Sequence, residues 1–342
     1  MNRVETRPLR KNPSWAARFW AVVEYELLSN IRKKKFLGVV LVVFALTTLS
    51  LALPVFLHSI TKQALTQNPD YVVGSGVGLG GLGFFLFALV TGMDSVSGEF
   101  ESGTIVTLLT KPVSRTMVFL GKLFTAFINI LSAYTVLSIY MAIGGTIIYG
   151  PQNNLYLMPI SLLADTLSTF VWVSIIMAMG SVSKSSMIAS LTGFSIFLGL
   201  FIGTPIVSMF SGQTWILNYL PGSGTSGYII GLKPLTSFTN GMSIYTGTDY
   251  ISTNLINYIL YPSSHVTFYQ MGIPTTVPLS MLELYIYVLN AMLFQNYSLV
   301  RGVDHLELLS NVVFRSVFVA LIYVIVFSFI AWYALRRAQI HE

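Results

Sequence analysis

Charge is what this sequence has least of. Asp, Glu, Lys and Arg together make up 9% of 342 residues, against roughly 25% in a soluble globular domain. Hydrophobic residues make up 54%, so the chain has too few polar groups to cover a water-facing surface, and the bilayer is the solvent that suits it. Cysteine is absent, which excludes a disulfide framework, a thiolate nucleophile, an iron–sulfur cluster and cysteine-ligated zinc. The histidines, His58, His265, His305 and His341, have no ligand spacing, and no H-e-x-x-H pattern surrounds them. A phosphate-binding G-x-x-x-x-G-K-[ST] loop is missing too, because Gly121-Lys122 runs on into Leu123 and Thr116 stands where its first glycine would be. The chain is therefore expected to carry no catalytic residue, metal or cofactor of its own. Its formal charge of +6 would point to nucleic acid in a soluble protein. Here the placement of that charge points to the membrane instead, and no nucleic-acid partner is expected.

A hydrocarbon core about 30 Å thick takes about 20 apolar residues per helical crossing. Six stretches qualify, at 36–57, 72–93, 117–149, 157–182, 187–210 and 312–335. An even number of crossings puts both termini on one side. With them fall the basic N-terminal arm, the run Arg32 to Lys35, and Lys111, Arg115, Lys122, Lys184, Arg336 and Arg337, against Lys62, Lys233 and Arg301 on the other side. Positive residues stay inside, so both termini are expected in the cytoplasm of a cell-membrane protein. The first apolar stretch is longer than a signal core and is expected to remain as a membrane helix. Ahead of it, in the N-terminal segment 1–35, Phe19, Val23, Leu27 and Ile31 repeat at four-residue spacing, the pattern of a helix lying in the interface with Trp15 and Trp20 at headgroup depth. The expected fold is thus an all-α polytopic membrane protein, with the transmembrane block 36–210, an external region 211–311 and a last crossing with its tail at 312–342.

The external region is rich in Ser, Thr, Asn, Gly and Tyr and broken by Pro221, Pro234, Pro262, Pro274 and Pro278, which reads as loops and short elements. Within it 282–299 is apolar enough to cross. A seventh span would put Arg336 and Arg337 outside, so an interfacial helix is expected there. Two motifs are better explained by packing than by chemistry. Gly78-Leu79-Gly80-Gly81-Leu82-Gly83 spells a dinucleotide fingerprint but lies in a membrane stretch, where small residues let helices approach. Gly224-Thr225-Ser226-Gly227 has the letters of an intramembrane serine protease motif, yet it lies in the external region with no histidine base, and reads as a turn.

The loop 94–116 between the second and third crossings is the most informative stretch. Its acids come first and its bases last, the order a short helix dipole favours, and Ser114 is placed to cap the helix that follows. Phe100, Ile105, Leu108 and Leu109 give it an apolar surface that must meet headgroups or another protein. This stretch resembles the type-2 permease family of ATP-binding-cassette transporters, whose pattern appears here as Glu99, Glu101, Gly103-Thr104, Leu108-Leu109, Pro112-Val113-Ser114-Arg115 and Gly121-Lys122. The resemblance implies a coupling helix, with Glu99, Phe100, Glu101, Gly103, Thr104, Leu108, Leu109, Lys111, Pro112, Val113 and Arg115 docking into a separate ATP-binding subunit. It also implies a second permease protomer, identical or not, and export of an unknown substrate. An ion-gradient-driven secondary transporter is the alternative, and Asp165 is the one acid well inside a crossing on which it could draw.

Asp165 and Arg315 fall in the outer parts of the fourth and sixth crossings, where charge is costly. They are expected either to pair across the bundle or to be satisfied apart. In the second case Arg315 snorkels and Asp165 bonds Ser161 or Thr169.

Overall fold

The structure, a computed structural model, describes residues 14–32, 34–61, 72–73, 80–103, 113–211, 215–230, 242–271 and 300–337. The apolar runs become helices as their lengths require. Helix α1 is Trp15–Arg32 and α2 is Lys34–Thr61. After α3 (Gly80–Gly92) and the short α4 (Ser97–Glu101) comes the long α5 (Arg115–Tyr149). A 3-10 turn, Leu155–Leu157, leads into α6 (Met158–Ser183), and α7 is Ser186–Ser211. The chain closes with α9, Leu309–Arg337.

Five helices among the described residues are long and apolar enough to cross a membrane, namely α2, α5, α6 with its leading turn, α7 and α9. They coincide with the first, third, fourth, fifth and sixth expected crossings. Of the second, the described part is Val72, Val73 and the 13-residue α3. Helix α6 is the axis of the bundle: α3, α5, α7 and α9 all pack on it. Its Trp172, Ile176 and Met177 are buried with Phe85 and Phe87 of α3, Tyr134 of α5 and Phe197 of α7. By contrast α2, α7 and α9 turn rows of Leu, Ile, Val and Phe outward, as helices facing lipid do.

The region 211–311, expected to hold loops and short elements, contains a sheet that the sequence reading did not foresee. Four strands, β1 (Ser226–Ile230), β2 (Met242–Tyr245), β3 (His265–Met271) and β4 (Val300–Leu308), form an antiparallel sheet in the order β2-β1-β3-β4. Helix α8 (Ile251–Leu260) lies between β2 and β3 in the chain. The physical reason is alternation: Val266 and Phe268 point to one face with Ile229 and Ile244, and that face rests on Leu309, Val312 and Val313 at the start of α9. The segment 282–299 lies outside the described residues.

Between sheet and bundle the chain turns back inward. Residues 222–225 and 246–249 run alongside one another, with Gly247 N–H donating to Ser223 O (2.8 Å), Asp249 N–H to Gly222 O (3.1 Å) and Thr246 N–H to Thr225 O (3.0 Å). A Cβ on Gly224, whose φ is +72°, would stand 2.4 Å from Gly247 N, and one on Gly247 would stand 2.1 Å from Gly222 O. Only glycine fits either place. The Gly224-Thr225-Ser226-Gly227 motif, expected as a turn, instead runs extended into β1: Ser226 and Gly227 are its first two residues, paired with Tyr245 and Ile244.

Candidate coupling site around Lys122

Lys122 sits about two turns into α5 and is 4% exposed. A buried ammonium costs several kcal/mol unless paired and hydrogen-bonded, and here two carboxylates meet it. Glu26 of α1 accepts from Nζ at 2.6 Å and Glu99 of α4 at 2.9 Å. One cation therefore ties three elements together. The preceding residue makes this possible, because a Cβ at Gly121 would lie 2.7 Å from Val22 Cγ1, so glycine lets α1 settle close enough for Glu26 to reach. The Gly-Lys pair of the sequence motif thus has a mechanical meaning: the glycine admits the helix and the lysine fastens it. A polar cleft opens beside this joint, lined by Glu26, Asn30, Asp94, Ser95, Lys122 and Asn129.

Helix α4 is held on its other flank as well. Glu101 accepts from Ser186 N–H at 2.7 Å and from the Ser186 hydroxyl, which places a carboxylate on the first turn of α7, where free N–H groups and the helix dipole favour it. Phe100 is half-buried, with the Lys184 ammonium 5.8 Å from its ring centre. Ser97 packs its hydroxyl on α6 beside Gly180, so the short helix rests directly on the bundle axis. At the start of α5, Ser114 accepts from Met117 N–H at 3.1 Å, the expected cap. Arg115 donates to the carbonyls of Leu335 (3.4 Å) and Arg336 (2.9 Å), closing the C-terminal end of α9, and Trp332 Nε1 donates to Thr116 Oγ1 at 3.1 Å.

The expected site residues are thus in part assembled. Glu99, Phe100 and Glu101 share one five-residue helix, Gly103 ends it at φ +69° with open space around it, and Val113 is half-buried. Thr104, Leu108, Leu109, Lys111 and Pro112 lie outside the described residues. Arg115 faces α9 rather than α4. Missing from the sequence reading were Glu26 and Ser186 as partners and Lys122 as the centre. The available signals were a lysine inside a crossing and an acid on the apolar side of an interfacial helix.

Asp165 and Arg315 are not brought together. Arg315 makes a two-pronged pair with Glu307 of β4, at 2.6 and 3.1 Å, because the sheet delivers an acid to the outer end of α9. Asp165 is buried in α6; its backbone carbonyl accepts from Thr169 Oγ1 at 2.9 Å, and Thr169 Oγ1 and Tyr134 OH share a hydrogen bond of 2.5 Å. Ser161, the other expected partner, bonds Ser252 of α8 at 2.6 Å. A different acid reaches deeper: Asp249 accepts from Trp172 Nε1 at 3.0 Å, and burial pushes its carboxyl up to about 6. Trp172 lies midway along α6, so the inturned segment penetrates the bundle well below its outer rim.

Compared with known proteins, the chain matches the family model described as ABC-2 family transporter protein over residues 20–338. No curated protein matches it.

Proposed function

Because the chain belongs to the ABC-2 family of transporter proteins, we propose that it is the permease subunit of an ATP-binding-cassette exporter, driven by a separate ATP-binding subunit that docks on the loop 94–116. Two such protomers, identical or not, pair in the cell membrane with their termini in the cytoplasm. Closure of two ATP-binding subunits displaces α4 and shifts the bundle between inward-open and outward-open arrangements. Energy enters as a bias on a two-state equilibrium applied at one interface.

The observation that carries this reading is the Lys122 joint. Helix α4 is bonded through Glu99 to Lys122 of α5, which also holds Glu26 of α1, so a load on it reaches two other elements through side-chain contacts. The test is copurification: the chain is expected to bring down a soluble ATPase in fixed ratio, and Lys122→Met is expected to uncouple that ATPase from the membrane subunit while leaving its basal rate. A lone chain in vesicles that moves cargo down an imposed proton gradient without ATP would overturn the reading in favour of a secondary transporter.

A further inference from the structure

We propose that Glu101 is the positioning residue through which movement of α4 is passed to α7, and that α7 carries it to the inturned external segment. The inference rests on the permease reading above and adds a route to it. The route is continuous in the structure. At its inner end the Glu101 carboxylate grips both donors of Ser186, the first residue of α7. Eleven residues on, about 16 Å along the helix, Phe197 stacks on Phe85 (centroids 4.1 Å apart, 12° between planes) and meets Trp172 edge-on at 5.3 Å. The Trp172 indole N–H holds Asp249. Beyond it, the Cβ of Leu200 on α7 lies in van der Waals range of the place a Cβ would take on Gly222.

Two facts make Glu101 the critical link. Helices α4 and α7 are separated in the chain by the whole of α5 and α6, so no covalent path of similar length joins them. The Glu101 contact is also two-pronged, and a carboxylate accepting two charge-assisted bonds resists shear better than an apolar contact. Lys122 cannot substitute for it, since its partners lie on α1 and α4.

The chain has no cysteine, so spin labels can be placed at will. In the complex with its ATP-binding subunit, pairs of labels at Leu163 and Ser102, and at Leu163 and Met187, report α4 and α7 against the bundle axis; all three positions are exposed. ATP with vanadate is expected to shift both distances in the native complex. Glu101→Ala is expected to keep the Ser102 shift and reduce the Met187 shift by roughly half or more. Ser186→Pro attacks the same contact from the other side: proline at the first helical position is well tolerated yet removes both donors. Glu101→Gln keeps a carbonyl acceptor and is expected to recover most of the shift. Full Met187 shifts in Glu101→Ala and Ser186→Pro would overturn the linkage, and either variant suffices if the other fails to fold. A native complex in which Ser102 moves and Met187 does not also overturns it. If neither label responds to ATP, the permease reading falls, and the linkage with it.

Discussion

Lys122 is a buried cation whose two partners come from different helices, so its worth is best exposed by removing one side of the arrangement at a time. Lys122→Met strands Glu26 and Glu99 together, and losing one partner of a buried pair typically costs about 3–5 kcal/mol. The expected result is a large fall in melting temperature in detergent. Adding Glu26→Gln and Glu99→Gln to Lys122→Met should recover most of it, because a neutral set of similar shape has no stranded charge; if the triple variant is no better than the single one, the ion pairs are not what secures α1. Asp249 makes a second prediction at this scale. Its carboxyl is raised from 3.8 to about 6, so the folded chain holds a proton that the unfolded chain releases between those values. The contribution of Asp249 to stability is then greatest below pH 4, falls as pH rises to about 6 and is flat above, a difference of about 3 kcal/mol. Asp249→Asn should remove the slope and raise the neutral-pH melting temperature. A slope that survives the substitution belongs to another group.

At the level of elements, much was legible because the signals were long. The five helices long and apolar enough to cross a membrane and helix α1 announce themselves by apolar runs and by four-residue spacing, and Ser114 by its cap chemistry. The sheet was not legible, since its strands are four to nine residues long and lie among prolines and threonines, where the two-residue alternation of Val266 and Phe268 is easily lost. Equally hidden was the partner of Arg315. A sequence places charges along a chain, but Glu307 reaches Arg315 only because β4 runs directly into α9. The Gly-Lys motif lay between these cases: its letters were visible and its purpose was not, because Val22 lies nearly a hundred positions earlier. The seating of α1 gives the matching prediction. Gly121→Leu should pry α1 from α5, and a cysteine placed at the buried Val23 should then react with a maleimide that leaves it untouched in the parent; equal reactivity in both would show that α1 does not depend on this glycine.

For the molecule as a whole, orientation is the prediction that most needs checking. Ser263, exposed in the turn before β3, and Ser14, exposed ahead of α1, are expected on opposite faces of the membrane. Cysteines introduced there should react with an impermeant thiol reagent only from outside the cell at Ser263 and only after permeabilisation at Ser14. The reverse pattern would invert the topology and strip the loop 94–116 of its access to a cytoplasmic ATPase.

The seat of the external sheet carries a consequence for biogenesis. Strands β1 to β3 emerge from the ribosome before α9 does, yet Leu309, Val312 and Val313 of α9 are the floor on which Ile229, Ile244, Val266 and Phe268 lie. During synthesis these side chains are made before that floor exists, and nascent chains halted before α9 should expose a sticky β-sheet face to proteases and holdase chaperones. The sheet can set only once α9 is made.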